Sequence, residues 1–92
     1  MINGNVNEFI AGLHYGDERF FLFRGKKYFL QGYFKDNTPM LELYILKPSD
    51  SDFEWRAFSN DNNYPVSEFE NSKIFDGKSF WEIENEIEWL DC

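Results

Sequence analysis

The sequence predicts a single α+β domain over residues 1–92, ordered as an N-terminal helix, a four-stranded antiparallel β-meander and two C-terminal helices. Three observations carry that class. The stretch from Arg19 to Leu46 breaks into alternating apolar runs at two turn signals. Apolar residues recur at helical spacing near both ends of the chain. Between the two patterns stands Asn60-Asp61-Asn62-Asn63, the densest loop signal in the chain and the expected change from sheet to helix.

Val6, Phe9, Ile10 and Leu13 fall at i, i+3, i+4 and i+7, the apolar stripe of a short helix over residues 6–14. Asn5 stands before it as an N-cap, Glu8 three residues on makes a variant capping box, and Gly16 provides a stop. Two strands then flank Gly25-Lys26, where a type II′ turn would use Gly25 for its positive φ. That turn would set Phe23 opposite Tyr28 and Phe21 opposite Leu30, so that Phe21, Phe23, Tyr28 and Leu30 share one face. A four-residue loop from Lys35 to Thr38 would pair Leu30 with Leu43, Tyr28 with Ile45 and Gly32 with Leu41. It keeps Leu41, Leu43 and Ile45 on that same core face, whereas a five-residue loop would mix the two sets.

Lys47-Pro48-Ser49-Asp50-Ser51-Asp52 is a polar loop with a strand-breaking proline, and Phe53–Phe58 alternates like a half-buried fourth strand with Phe53, Trp55 and Ala57 inward. Pro65 suits the first turn of a helix over Val66–Asn71. The segment Glu82–Trp89 alternates as a strand would, yet Phe80, Ile83, Ile87 and Leu90 also line a helical stripe. Ser79 with Glu82 forms a capping box, and the glutamates favour helix, so a helix over Phe80–Leu90 is expected after a turn at Asp76-Gly77.

A chain of 92 residues buries only about 60–65% of its unfolded surface, and eleven Phe, five Tyr and three Trp compensate for the modest core. Seventeen acidic residues against nine basic ones, a net charge of −8, disfavour direct binding to nucleic acid phosphates or anionic lipid. Charge is uneven: residues 61–92 hold nine acids and two bases, whereas residues 17–36 hold five bases and three acids. The start has neither a basic nor an apolar leader segment, and no stretch approaches the ~18 apolar residues of a membrane span, so a cytoplasmic chain, complete as written and without membrane contact, is expected.

Chemistry has little material. His14 is the sole histidine and Cys92 the sole cysteine, which excludes an intrachain disulfide, a four-thiolate zinc site and a His-based metal cluster. His14 is expected to cap a helix end. Cys92 would be a terminal thiol without the fixed base that activates a nucleophile. Asp50, Asp52 and Glu54 alternate as calcium-loop ligands do, but Trp55 and Asp61 stand where that loop needs Gly and Glu. Arg24-Gly25-Lys26-Lys27 lacks the spacing and the following helix of a phosphate loop. No cofactor, no metal and no enzymatic activity are expected.

What stands out is a surplus. Once the core face is assigned, Phe20, Leu22, Phe29, Tyr33, Met40, Tyr44 and Leu46 lie on the opposite face of the sheet, where a solvated antiparallel sheet shows polar residues. Either helices cover both faces, or this one is a binding face for a protein partner or a homodimer. Stacking of nucleic acid bases on Phe20, Phe29 and Tyr33 beside Arg24 and Lys27 is opposed by the overall charge. An alternative function uses the acidic surface: Glu82, Glu84, Glu86 and Glu88, with Glu68, Glu70, Asp76 and Asp91, would imitate DNA phosphates and inhibit a nucleic-acid-binding protein.

The segment Lys73-Ile74-Phe75-Asp76-Gly77-Lys78-Ser79-Phe80-Trp81-Glu82-Ile83, running on to Glu88-Trp89, resembles the closing stretch of small, acidic, uncharacterised bacterial proteins. The resemblance implies a bacterial source, a mobile element among the options, and brings no function with it.

Overall fold

The computed structural model describes residues 1–47, 50–59 and 61–90. Pro48 and Ser49 of the polar loop, Asn60, Asp91 of the acidic set and Cys92 lie outside the described residues. The described residues form helix α1 (Val6–Leu13), strands β1 (Arg19–Phe23), β2 (Lys26–Lys35), β3 (Thr38–Lys47) and β4 (Asp50–Phe58), helices α2 (Val66–Asn71) and α3 (Phe80–Ile83), a 3-10 turn (Glu84–Glu86) and strand β5 (Glu88–Leu90). The architecture is α+β, with one antiparallel sheet in the order β4-β3-β2-β1-β5.

Helix α1 starts where its cap predicts, because the Asn5 side chain accepts hydrogen bonds from the backbone N–H groups of Asn7 and Glu8. His14 is its C-cap residue. The second hairpin has the expected register, Leu30 with Leu43 and Gly32 with Leu41, but the strands run on to Lys35 and Thr38. The loop thereby tightens to Asp36-Asn37, whose φ values of 53° and 63° make a type I′ turn. The first hairpin departs from expectation: it turns at Arg24-Gly25, at φ 49° and 79°, and pairs Phe23 with Lys26 and Phe21 with Tyr28. The slip is by two residues, so each side chain keeps its expected face. A type I′ turn follows the right-handed twist of the strands, and Arg24 is held in its left-handed conformation by ion pairs to Asp76 and Glu86.

Two further expectations are corrected. Strand β4 pairs with β3 through an irregularity between Leu43 and Tyr44, with Leu43 opposite Trp55 but Tyr44 opposite Phe53. One extra residue, Glu54, is thereby taken up on the β4 side, and Phe53 moves to the face opposite Trp55 and Ala57 instead of pointing into the core. The sheet also has five strands instead of four. The capping box at Ser79 and Glu82 forms as expected, but the helix it opens ends at Ile83. Helix over Phe80–Leu90 would leave the outer edge of β1 unpaired. As a strand, Glu88–Leu90 pairs with Leu22–Phe20, and on its other side the Trp89 N–H donates to the Ile2 carbonyl while the Ile2 N–H donates to the Ile87 carbonyl. Pairing of the backbone groups outweighs the helix preference of glutamate.

The core lies on one side of the sheet. Phe9 and Leu13 of α1, Val66 and Phe69 of α2, and Phe80 and Ile83 of α3 pack with Phe21, Phe23, Tyr28, Leu30, Leu41 and Leu43. Phe75, at 0% exposure, is the hub: its ring lies 5.5–6.5 Å from those of Phe23, Tyr28, Phe69, Phe80 and Phe21. It is aimed inward by the Asp76-Gly77 turn, closed by two Phe75–Lys78 backbone bonds of 3.0 Å. Gly32 permits the close approach of the loop after α1, since a Cβ there would sit 2.7 Å from the Gly16 Cα.

Candidate binding face

Because strand neighbours share a face, the pairing register reads directly as rows of side chains on the side away from the helices. One row is Glu88, Leu22, Lys27 and Leu46; the next is Leu90, Phe20, Phe29, Tyr44 and Phe53; then come Gln31, Glu42 and Arg56, then Tyr33, Met40 and Phe58, and beside the turn Lys35 and Thr38. The second row is apolar or aromatic across all five strands. Within it Phe20 stacks on Phe29 at 4.7 Å and Tyr44 meets Phe53 edge-on at 6.0 Å. Phe53 and Phe58 are about half exposed, at 51% and 50%. Among the described residues, the helical segments contribute to the core on the other side, and none of the second-row residues joins the core cluster.

A polar centre sits beside this row. Glu42 is only 2% exposed, although it lies on the face without helices. The Arg56 guanidinium closes over it, donating from Nε at 2.8 Å and approaching with Nη2 at 2.6 Å, while its Cζ lies 4.8 Å from the Phe53 ring centre. Desolvation pushes the Glu42 carboxyl upward, but hydrogen bonds from Tyr33, Arg56 and Tyr44 and the Arg56 charge outweigh it and hold the group below its ordinary value. Tyr33 is correspondingly raised, first by its bond to Glu42. A planar cation is thus fixed in position on an aromatic ring, its partner already satisfied. Lys27 lies 5.5 Å from the Phe20 ring centre at the other side of the aromatic row.

The structure brings together the seven residues expected on this face. Phe20, Leu22, Phe29, Tyr44 and Leu46 are half-buried in adjacent rows, Tyr33 is 36% exposed, and Met40, between Tyr33 and Phe58 in register, is fully buried. Sequence reasoning left out Glu42, Arg56, Phe53 and Leu90. Glu42 was available from the same register, since it alternates with Leu41 and Leu43. Phe53 was hidden by the bulge, and Leu90 by the helical assignment of the last segment.

The acidic residues are dispersed instead of aligned. Glu82 closes its capping box and faces Lys73 at 3.5 Å, Glu84 pairs with the Met1 ammonium at 2.9 Å, Glu86 with Arg24 at 3.0 Å, and Glu88 accepts from the Asn3 amide at 3.1 Å. A helix over Phe80–Leu90 would have set Glu82 beside Glu86 and Glu84 beside Glu88; that spacing is absent, because the helix ends at Ile83. On the helix side, a polar cleft is lined by His14, Ser59, Asp61, Tyr64 and Glu68. Its Asp61 carboxylate is engaged by the Ser59 hydroxyl and the Asn63 backbone N–H, each at 2.8 Å. No helix of the described residues is long and apolar enough to cross a membrane. No protein-family model, curated protein or solved structure matches the chain.

Proposed function

We propose that the chain is a small cytoplasmic, non-enzymatic binding domain whose open sheet face docks on a protein surface, that of a partner or of a second copy. The observation that carries this reading is the apolar row Leu90, Phe20, Phe29, Tyr44 and Phe53, which crosses the whole sheet on the side away from α1, α2 and α3. Solvation of such a row in isolation is unfavourable, and contiguous apolar surface of this kind marks an interaction site. The fixed Arg56 over Glu42 supplies a fully paired polar group at the edge of the row, of the sort that sets register in an interface.

The test is a pair of substitutions, Phe29→Glu and Tyr33→Glu, each checked by circular dichroism. Both are expected to keep the fold and to abolish association in sedimentation and pull-down. Unchanged association in both would contradict the binding face. The DNA-mimic alternative uses Glu82, Glu84, Glu86 and Glu88, whose side chains are occupied by four separate intramolecular contacts. It would require capture of a basic protein that weakens steeply with salt.

A further inference from the structure

We infer that the outer edge of β4 takes up an extended segment of a basic partner protein as a further strand of the sheet. The inference goes beyond the open-face reading, since it concerns the backbone edge of β4 and holds or fails without that face.

The two edges of the sheet differ. At the β5 edge the chain covers itself: the Ile2 N–H donates to the Ile87 carbonyl at 2.8 Å, and the Trp89 N–H to the Ile2 carbonyl at 2.9 Å. At the other edge stands β4, nine residues long, and none of the described residues pairs with its outer side. The ladder fixes which groups are left over. Ser59 donates to the Pro39 carbonyl at 2.9 Å, and along an antiparallel pair the direction of the backbone groups alternates. Trp55 and Ala57, opposite Leu43 and Leu41, therefore turn their N–H and C=O toward β3, whereas Arg56 and Phe58, opposite Glu42 and Met40, turn theirs outward. Among the described residues, no backbone bond reaches these outward groups. An unpaired edge of this kind is ready to pair with another chain.

Strand edges are commonly guarded by lysine, proline or a bulge. Strand β4 contains neither lysine nor proline, and its bulge at Glu54 precedes the regular stretch from Trp55 to Phe58. What guards this edge is negative charge, and the charge selects the occupant. Residues 50–70 hold six acids and one base, and that base, Arg56, is neutralised by Glu42. Glu54 is exposed, and so is Glu68 of α2, the helix that packs against β4 through the Phe69 and Trp55 rings at 5.8 Å. With −8 over the whole chain, an acidic strand, a second copy included, is repelled from this edge, and a basic one is drawn to it.

The faces of the sheet set the pattern of the added strand. Neighbours across a ladder share a face, so its residues beside the half-exposed Phe53 and Phe58 are apolar. The residues between them fall on the side of α2 and its Glu68, and are basic. The segment recognised alternates apolar and basic residues, held by main-chain bonds and selected by its side chains.

The probe is a fluorescein-labelled peptide as long as β4 that alternates lysine and valine, titrated against the full chain by fluorescence anisotropy. A lysine-proline peptide of the same length and charge cannot join a ladder, and a glutamate-valine peptide reverses the charge. The lysine-valine peptide should bind, more weakly as salt rises, and the other two at least about tenfold more weakly still. In amide hydrogen exchange, Arg56 and Phe58 should exchange fast in the free chain and at least about tenfold slower with the peptide, while Ala57 is slow in both states. Phe58→Pro removes one outward N–H and leaves the Ser59 bond to β3 in place, so it should lose the peptide where Phe58→Ala keeps it. Absence of binding overturns the inference, and so does equal binding of the lysine-valine and lysine-proline peptides, which is charge attraction without an added strand. Loss of the peptide on Phe29→Ala but not on Phe58→Pro places it on the open face and also overturns the inference. If Phe58→Pro does not fold, exchange on the unaltered chain decides: protection that spares Arg56 and Phe58 overturns the added strand.

Discussion

Phe20 and Phe21 are neighbours in β1 with the same side chain and opposite surroundings. Phe21 is fully buried, its ring 5.1 Å from Tyr28 and 5.7 Å from Phe9, and α1 and the Phe75 hub close over it. Phe20 is half-buried and rests on Phe29 alone among the aromatic rings, with Lys27 at its edge. Alternation along one strand thus separates the two tasks of this sheet. One face supplies the apolar burial that stabilises a small domain, and the other holds aromatic rings that the fold itself does not need to cover.

Introducing a carboxylate on each side should give the largest contrast. Phe21→Glu forfeits the ~3–5 kcal/mol of a buried phenylalanine and buries an unpaired charge, enough to consume most of the ~5–15 kcal/mol that holds a domain together. Circular dichroism should show it unfolded, and Phe20→Glu folded. Phe75→Ala should cost about 3–5 kcal/mol in urea unfolding, because the hub ring leaves a cavity that five neighbours cannot fill.

Gly32→Ala, on the core face, should cost about 1–3 kcal/mol, since its Cβ meets the Gly16 backbone and the Tyr64 ring at 2.7 and 2.9 Å. Glu42→Gln probes the open face, with an expected loss of about 1–2 kcal/mol at pH 7 from the weakened Arg56 bond. Its signature is in the pH dependence. The native Glu42 carboxyl lies below its ordinary 4.5, so the unfolded chain binds more protons just below that pH. The contribution is complete above pH 4.5 and is lost as pH falls through the depressed native value. Glu42→Gln should flatten part of this acid limb, and Asp61, Glu82 and Glu86, all lowered, should retain the rest. The smallest effect belongs to Phe29→Ala, about 1 kcal/mol in dilute protein, the worth of one partly exposed aromatic stack.

Most of the sheet was legible because the alternation of Phe21, Phe23, Tyr28, Leu30, Leu41 and Leu43 admits one facing, whatever the turn type. The first turn lies one residue earlier than expected, which shifts the pairing by two, and no side chain changed face, since the period of a strand is two. The bulge opposite Tyr44 shifts the facing by one, and no turn residue or glycine marks it, so Phe53 was assigned to the core. The last segment held both signals. Local preference favoured helix, while the pairing of Glu88–Leu90 with β1 and Ile2 depends on residues more than sixty positions away. Phe20, Phe29, Tyr33 and Tyr44 lie on the face opposite the core, as the alternation of the strands expects. That α1, α2 and α3 all pack on the other side could not be read from their own stripes.

The most direct measurement is hydroxyl-radical footprinting of the intact chain across protein concentration, read residue by residue. A second copy on the open face predicts that Tyr33, Phe53 and Phe58 label in dilute solution and become protected together as concentration rises, while Tyr15, 81% exposed on the helix side, labels equally throughout and Phe21 and Phe75 stay unlabelled. Labelling of the open face that tracks Tyr15 at every concentration would contradict a second copy as its occupant and leave the face to a heterologous partner.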